Sequence, residues 1–307
     1  MTDVVVVQPI ACSAVDLLAR AGLRVHSAPA PELAAMRPHL ASARAVITRN
    51  HGFSAAELAA APRLEVIGVH GTGMDRVDRA EAGRRGVAVV NTPGTNARAV
   101  AELALGLMLV CARGLVAADA AARVADAGWR ERASGIELGD RRLGLVGFGH
   151  VARALVPMAR GLGMEVAALT GHATAAELEA AGVAPAPDLD TLCAEADVVS
   201  LHAVPGPRPL LDAARIARMR PGAILVNTAR GALVDEAALA AALASGHLRA
   251  AGLDVTVTEP LPPDSPLLGA PGLVLTGHIG GAAEEAIERT GQAVARKVLA
   301  ALGLAAR

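Results

Sequence analysis

Three segments in the second half of the chain carry residues suited to anion binding and proton transfer. They contain Arg230, Glu259 and His278, in that order, and each segment begins with a short apolar run. A guanidinium is permanently charged and can hold a carboxylate through two parallel hydrogen bonds. An imidazole exchanges a proton near neutrality, and a carboxylate on its other ring nitrogen favours the imidazolium and fixes the ring. The set therefore predicts a site that binds a carboxylate and protonates an adjacent carbonyl oxygen.

A glycine-rich turn lies upstream of these residues. Gly147-Phe148-Gly149-His150-Val151-Ala152 follows an apolar run and opens an Ala-rich stretch. In a G-x-G-x-x-G/A turn the first glycine permits the bend, the second lets backbone N–H groups approach a diphosphate, and the last small residue keeps helix and strand close. A tight strand–helix turn without a ligand is the alternative. The position of the motif at the start of an α/β series favours a dinucleotide site with Gly147 and Gly149 as its binding glycines.

The choice between NAD and NADP depends on the position about 20 residues beyond this turn, where an acidic residue would bind the ribose 2'-hydroxyl. That position is Thr170, and His172 follows it closely. Without the acidic residue, nothing at this position repels a 2'-phosphate. The sequence therefore favours NADP, while NAD bound beside ordinary loop residues stays an open alternative.

The elements that must position these residues are strands and helices in strict alternation. One series of apolar runs extends from VVVVQP at 4–9 to VAVVN at 87–91, and a second from LGLVGFG at 143–149 to GLVLTGH at 272–278. Runs that are apolar on both faces are typical of buried parallel strands with crossover helices on each side. We predict an α/β protein of two doubly wound parallel-sheet lobes, joined by one long helix over roughly 97–127, with a cleft between the lobes.

Composition excludes several other classes of protein. The 307 residues include 29 basic and 30 acidic ones, without a basic block, which argues against nucleic-acid partners. No uncharged apolar run reaches the roughly 18–20 residues of a membrane span, and no basic leader precedes the first run. We therefore expect a soluble cytoplasmic protein. The absence of tyrosine excludes the tyrosine-dependent short-chain and aldo-keto reductases.

The three cysteines give no sign of a disulfide framework or a metal site. Cys12, Cys111 and Cys193 lie far apart and form no CxxC pair. We predict that all three are core residues and that the protein has no metal.

Taken together and in this order, the motifs resemble those of the D-isomer-specific 2-hydroxyacid dehydrogenases. The likeness covers nearly the whole chain and includes Val226-Asn227-Thr228-Ala229-Arg230-Gly231, Leu253-Asp254-Val255 with Glu259-Pro260, and Leu275-Thr276-Gly277-His278-Ile279-Gly280-Gly281. It implies hydride transfer between NAD(P)H and a small 2-keto acid, with Arg230 binding the substrate, His278 as the acid and Glu259 as its partner. The formate dehydrogenase branch has glutamine at the position of Glu259, so the acid here argues against that reaction.

The same resemblance assigns binding residues. Gly71, Thr72 and Gly73 look like the family loop whose N–H groups receive the substrate carboxylate, a plain βα turn being the alternative. The cofactor contacts that it implies are His150 and Val151 at the diphosphate, Thr170 at the adenosine ribose, Thr228 and Ala229 on the nicotinamide side, Asp254 at the carboxamide, and Gly280 and Gly281 along the nicotinamide. Two features depart from the family pattern: Gly277 replaces the usual proline, and the loop after His202 differs from His-Leu-Pro.

The resemblance also implies an organisation and leaves alternatives open. We expect a flavodoxin-like substrate lobe of 1–96 plus 283–307, a Rossmann-type NAD(P)-binding lobe of 97–282, and a homodimer formed through 99–129. The identity of the 2-keto acid, the direction of the reaction and the roles of His51 and Arg76 stay open. Two other functions stay open as well: a cofactor-sensing dimer like the C-terminal binding protein corepressors, and oxidation of an inorganic anion such as phosphite.

Overall fold

The computed structural model describes residues 1–305, which form two compact α/β units. One unit comprises Met1–Asn96 together with the chain from Gly281 onward, and the other comprises Ala97–Gly280. The second unit ends at Gly280, two residues before its predicted end at 282. The assignment of the units to substrate and cofactor stays a prediction.

The first unit contains a parallel five-stranded sheet in the order β2-β1-β3-β4-β5. Its strands are β1 (Val4–Val6), β2 (Val25–Ser27), β3 (Ala45–Thr48), β4 (Val66–Val69) and β5 (Ala88–Asn91). The helices between them are α1 (Cys12–Arg20), α2 (Leu33–Leu40), α3 (Ala55–Ala60) and α4 (Arg79–Arg84). Every residue of β1, β3 and β4 is buried, because helices cover both faces of the sheet, and this explains the unbroken apolar runs.

The second unit begins with three consecutive helices, α5 (Ala97–Arg113), α6 (Leu115–Arg123) and α7 (Trp129–Arg132). The long helix predicted over 97–127 is therefore wrong. The helix breaks at Gly114, whose φ of +61° is left-handed, and α5 and α6 meet at a bend of 60°. Glycine adopts that conformation without steric cost, whereas the Ala/Leu periodicity on either side gives no sign of the break.

A parallel seven-stranded sheet follows, in the order β12-β11-β10-β9-β6-β7-β8. Its elements, in chain order, are β6 (Arg142–Val146), α8 (His150–Gly161), β7 (Glu165–Leu169), α9 (Ala175–Ala180), β8 (Ala184–Pro185), α10 (Leu189–Glu195), β9 (Val198–Leu201), α11 (Ala213–Arg218), β10 (Ala223–Asn227), α12 (Glu236–Ala244), β11 (Leu248–Leu253) and β12 (Leu273–Leu275). The last helix, α13 (Glu284–Ala301), belongs to the first unit and packs against α1 and β4. The predicted fold class of two doubly wound parallel sheets is confirmed.

Two of the three cysteines lie where the sequence places them. Cys111 and Cys193 are buried, and burial raises the pKa of the Cys111 thiol to about 12 and that of Cys193 to about 11. The prediction for Cys12 is wrong, since this residue starts α1 on its exposed side. Within residues 1–305, no single helix is both long and apolar enough to cross a membrane; only the bent pair of α5 and α6 meets that test together.

Candidate active site

Three neighbouring strands end side by side in the second unit. β10, β11 and β12 are adjacent in the sheet and parallel, so their carboxyl ends lie along one edge. Arg230 follows β10, Asp254 directly follows β11, and His278 follows β12. Ligands of open α/β sheets bind outside the carboxyl ends of strands, so the topology places the candidate residues where chemistry is expected.

The proposed acid and its partner are in direct contact. His278 Nδ1 lies 2.9 Å from Glu259 Oε2, and the two side chains are 31% and 18% exposed. Because the carboxylate occupies Nδ1, the other ring nitrogen, Nε2, is left for proton exchange with a substrate. The arrangement has the geometry of a carboxylate that orients an imidazole and stabilises its protonated form.

The backbone that carries His278 has an unusual conformation. Gly277 and His278 have φ values of +70° and +64°, so two consecutive residues are left-handed. Only glycine adopts such angles without cost, and a histidine there must be held by its surroundings. The backbone N–H of His278 donates to the Asp254 carbonyl at 2.5 Å, which supplies part of that hold.

The side chain of Asp254 supplies the rest. Its buried carboxylate accepts three hydrogen bonds from the histidine loop: from Thr276 Oγ1 at 2.7 Å, from Ile279 N at 2.8 Å and from Gly280 N at 2.9 Å. Asp254 therefore fixes the loop on both sides of His278. The contact of Asp254 with the cofactor carboxamide stays a prediction. In the structure Asp254 also fixes the histidine loop.

Arg230 stands at the end of a turn organised by Asn227. The buried Asn227 amide donates to the Arg230 carbonyl at 2.8 Å and accepts from Ala229 N at 3.0 Å. The Arg230 backbone is extended, and one terminal guanidinium nitrogen donates to the Ala229 carbonyl at 2.7 Å. The guanidinium thus originates one strand away from Asp254 and two strands away from His278.

The glycine-rich turn has the shape that a diphosphate requires. Gly147 has φ +96°, and a Cβ at this position would lie 2.6 Å from the His202 carbonyl oxygen, so no larger residue fits. Gly149 is the N-cap of α8, and a Cβ there would meet nothing within 4 Å. Among residues 1–305, no group accepts a hydrogen bond from the backbone N–H of Gly149, His150 or Val151. Three free donors beside open space at a helix N-terminus suit a diphosphate.

Two further positions bear on the cofactor. The Thr228 hydroxyl is buried and finds no hydrogen-bond partner in the described part of the chain, so it is available to a polar group brought by a ligand. Thr170 Oγ1 accepts from the N–H groups of His172 and Ala173, both at 3.2 Å, which shapes the loop after β7 and leaves His172 exposed. The residues present therefore fit a dinucleotide.

In the first unit, the loop after β4 offers backbone donors of its own. Gly71 has φ +142°, and its N–H donates to the buried Thr92 hydroxyl at 3.0 Å. Asn91 donates to the Thr72 carbonyl at 2.7 Å. The N–H groups of Thr72 and Gly73 donate to no acceptor within residues 1–305. Such a pair of free donors on a glycine loop is suited to an anion.

The residues left open by the sequence have structural partners. His51 Nε2 lies 2.7 Å from Glu57 Oε1, and Glu57 in turn forms a capping box with Ser54 at the start of α3. Arg76 donates to the Asn50 carbonyl at 2.9 Å. Both side chains therefore stabilise the loop after β3.

Sequence reasoning missed the residues that hold the site in place. Asn227, Thr276 and Thr92 were quoted within motifs or lie beside them, but no signal separated their contacts with the backbone from ordinary loop polarity. Their hydrogen bonds join positions up to 22 residues apart, which only the folded topology brings together.

No group of three or more His, Cys, Asp or Glu side chains within the described residues could hold a metal ion.

Comparison with known proteins gives one family. A family model for the "D-isomer specific 2-hydroxyacid dehydrogenase, NAD binding domain" matches residues 105–280, more than half of the chain. A D-3-phosphoglycerate dehydrogenase of Mycobacterium bovis is 42% identical over 248 residues, which are 80% of this chain and 46% of that protein. The chain thus spans about half the length of the phosphoglycerate dehydrogenases that it matches.

Two other relatives match over most of their own length. A hydroxypyruvate reductase of Thermotoga maritima is 40% identical over 252 residues, 80% of each chain. A crystal structure of a Thermus thermophilus protein is 37% identical with a TM-score of 0.88, covering 98% of this chain and 97% of the other. The family model supports the expected NAD-binding region, and the solved structure supports the two parallel-sheet units.

Proposed function

We propose that this chain, which belongs to the D-isomer-specific 2-hydroxyacid dehydrogenase family, catalyses the NAD(P)H-linked reduction of a small 2-keto acid or the reverse oxidation. The observation that carries the proposal is the His278–Glu259 pair. Its members follow β12 and β11, and Arg230 follows the next strand, β10, on the same sheet edge. An oriented proton donor and a permanent cation are what a 2-keto acid needs from a protein during its reduction.

In this mechanism Arg230 binds the substrate carboxylate and polarises the neighbouring carbonyl. The reduced nicotinamide, when bound, supplies the hydride. His278 donates the Nε2 proton to the carbonyl oxygen as negative charge develops there, and Glu259 on Nδ1 stabilises the imidazolium before the transfer. In the reverse direction His278 takes the hydroxyl proton as a base, and the same carboxylate stabilises the imidazolium that forms.

The loop after β4 is the carboxylate-binding element that we propose for the first unit. The N–H groups of Thr72 and Gly73 have no acceptor in the described chain, and Gly71 is held by Thr92 in a conformation that suits glycine. Two free backbone donors can bind a carboxylate without a charged side chain. We therefore retain Gly71, Thr72 and Gly73 as substrate-binding residues.

The cofactor-binding residues follow from the same reasoning. His150 and Val151 at the start of α8, with Gly147 and Gly149, would bind the diphosphate, and the Thr228 hydroxyl with Ala229 would lie on the nicotinamide side. Asp254, Gly280 and Gly281 complete the proposed set.

NADP is the proposed preference, because the loop after β7 lacks a carboxylate at Thr170. A hydroxyl that accepts two backbone N–H groups puts no negative charge beside the ribose, and the exposed His172 can add a positive one when protonated.

A homodimer through α5 and α6 is also proposed. α6 exposes Leu115 and Val116 at 48% and 56%, and Val124 just beyond it is 76% exposed. Large apolar side chains exposed along one helix are candidates for burial between two copies of the chain. The mass of the protein in solution by light scattering tests this proposal, and Leu115→Glu with Val116→Glu should yield monomers. A wild-type monomer at micromolar concentration would contradict it.

The cytoplasmic location stays a prediction of the sequence.

The experiment that tests the proposed roles is the substitution His278→Ala. We expect loss of turnover with the affinity for NADPH or NADH, measured by fluorescence titration, unchanged within about twofold, because the side chain acts on the substrate proton. His247→Ala is the matched control, since this histidine follows α12 in the same unit and bonds the Ile216 carbonyl. Turnover that survives in His278→Ala would remove His278 as the acid.

A further inference from the structure

We infer that Glu236 is a positioning residue that sets the location of Glu259 and, through it, the orientation of the His278 ring. The inference rests on the proposed function for its catalytic consequence, although the contacts themselves do not depend on it. Glu236 is the first residue of α12 and lies 23 positions before Glu259 in the chain. Neither residue type nor spacing marked it as part of the site.

The loop that carries Glu259 has little apolar packing. It runs from Thr256 to Pro260, and Val257 is 59% exposed, with Thr258 and Pro260 also exposed. Two hydrogen bonds lie within the loop: Thr256 Oγ1 donates to the Thr258 carbonyl at 2.8 Å, and Thr256 N donates to Glu259 Oε1 at 3.3 Å. These bonds give the loop its shape but do not attach it to the sheet or to a helix.

The Glu236 side chain makes that attachment. Its Oε1 accepts the backbone N–H of Val257 at 2.7 Å, a short charge-assisted hydrogen bond. Capping of α12 is done by a different residue, since Asp235 Oδ1 accepts from Ala238 N at 3.0 Å. The helix therefore does not need Glu236 for its N-cap, and the carboxylate is directed to the neighbouring loop instead.

A second contact, from Gly231, involves the same peptide. A Cβ at Gly231 would lie 2.0 Å from the Thr256 carbonyl carbon and 2.3 Å from Val257 N, so the backbone after Arg230 packs directly on the Thr256–Val257 peptide. The segment from Arg230 to Glu236 thus holds the Glu259 loop by one backbone contact and one hydrogen bond. Through this segment the position of Glu259 is tied to that of Arg230.

The consequence concerns the histidine. Glu259 Oε2 reaches His278 Nδ1 at 2.9 Å only while the loop stays in place. When the Glu236 carboxylate is removed, Val257 N loses its acceptor and the exposed loop gains freedom. The Nδ1–carboxylate contact then forms for a smaller fraction of the time, and the imidazolium loses its stabilising partner.

The first test compares Glu236→Ala with Glu236→Gln, which retains an acceptor oxygen without the charge. In Glu236→Ala we expect kcat for 2-keto acid reduction to fall about tenfold, as for one lost charge-assisted hydrogen bond. Glu236→Gln should stay within about threefold of the wild type. Glu179→Ala, an exposed carboxylate on α9 at the opposite edge of the sheet, is the matched control.

The double variant separates positioning from a general structural effect. If Glu236 acts through Glu259, adding Glu236→Ala to Glu259→Gln should lower kcat by less than about twofold beyond Glu259→Gln alone. Effects that multiply in full would overturn the inference. Gly231→Ala provides a second route to the same loop, because its methyl group displaces the Thr256–Val257 peptide, and it should also lower kcat.

A measurement without substrate keeps the inference independent of the proposed function. In cofactor-free protein, the 15N signals of the His278 ring, assigned with His278→Ala, should report Nδ1 as a hydrogen-bonded N–H in the wild type and in Glu236→Gln. In Glu236→Ala this signature should weaken. A wild-type signature in Glu236→Ala would overturn the inference, whereas absence of turnover with every 2-keto acid would contradict only the proposed function.

Discussion

His278 Nδ1 and Glu259 Oε2 lie 2.9 Å apart although 19 residues separate them in the chain. The two residues follow adjacent strands, β11 and β12, and each is held by a loop of its own. Glu259→Gln keeps the size of the side chain and removes its charge. We expect kcat for reduction to fall about 10- to 100-fold, because the imidazolium loses its counter-charge.

Single-turnover stopped-flow reduction with saturating cofactor measures this rate. A wild-type rate in Glu259→Gln would show that the carboxylate charge is not needed.

Gly277 should not tolerate proline. Its φ of +70° lies outside the range that a proline ring allows, so Gly277→Pro must rearrange the loop that places His278. We expect a loss of at least about tenfold in kcat with cofactor affinity retained. Gly277→Asn is the control, because asparagine adopts left-handed angles and a Cβ here meets nothing within 4 Å. Wild-type kcat in Gly277→Pro would show that the left-handed pair is not needed.

Thr170→Asp should shift the cofactor preference toward NAD. One carboxylate oxygen can accept the His172 and Ala173 N–H groups as the hydroxyl does, while the charge repels a 2'-phosphate. We expect the ratio of kcat/KM for NADPH to that for NADH to fall at least about tenfold. Thr170→Ser retains the hydroxyl and should leave the ratio unchanged. A constant ratio in Thr170→Asp would contradict the role given to this position.

His70 should make the stability of the first unit depend on pH. Burial, and then the nearby charge of Arg49, lower the pKa of His70 from 6.5 to about 4. Between pH 6.5 and pH 4 the unfolded chain therefore binds more protons at His70 than the folded chain does. The contribution of neutral His70 to the free energy of unfolding is complete above about pH 6.5 and is lost as the pH falls toward 4. The loss amounts to at most about 3 kcal/mol.

Calorimetry tests this dependence. The Tm should fall less between pH 7 and pH 4.5 in His70→Asn than in the wild type, whereas substitution of the exposed His172 by Asn should change nothing. An equal fall of Tm in wild type and His70→Asn would assign the acid sensitivity to other groups.

The fold was predictable where burial dictates residue type. Strands such as β3 and β10 are buried along their whole length, so they read as unbroken apolar runs. The break at Gly114 was not predictable, because a single glycine is tolerated within a helical pattern and the apolar period continues on both sides. The predicted burial of Cys12 was wrong for a related reason, since residue type alone does not say which side of a helix faces solvent.

The candidate site was predictable in its residue types but not in its supporting contacts. Arg230, Glu259 and His278 are chemically distinct groups that follow successive strands, and their order marked them as candidates. Asp254 and Glu236 act through hydrogen bonds to backbone N–H groups 21 to 26 residues away, and any carboxylate can make such bonds. Their partners become visible only when the sheet brings the loops together.

The central claim is that the chain reduces 2-keto acids with a nicotinamide cofactor. The most direct measurement follows the absorbance of NADPH and NADH while purified protein is mixed with glyoxylate, hydroxypyruvate and phosphohydroxypyruvate, with His278→Ala in parallel. We expect consumption of reduced cofactor by the wild type with at least one of these acids, faster with NADPH, and none by His278→Ala. Cofactor binding without consumption in any combination would contradict the claim and favour a cofactor-sensing protein or oxidation of an inorganic anion.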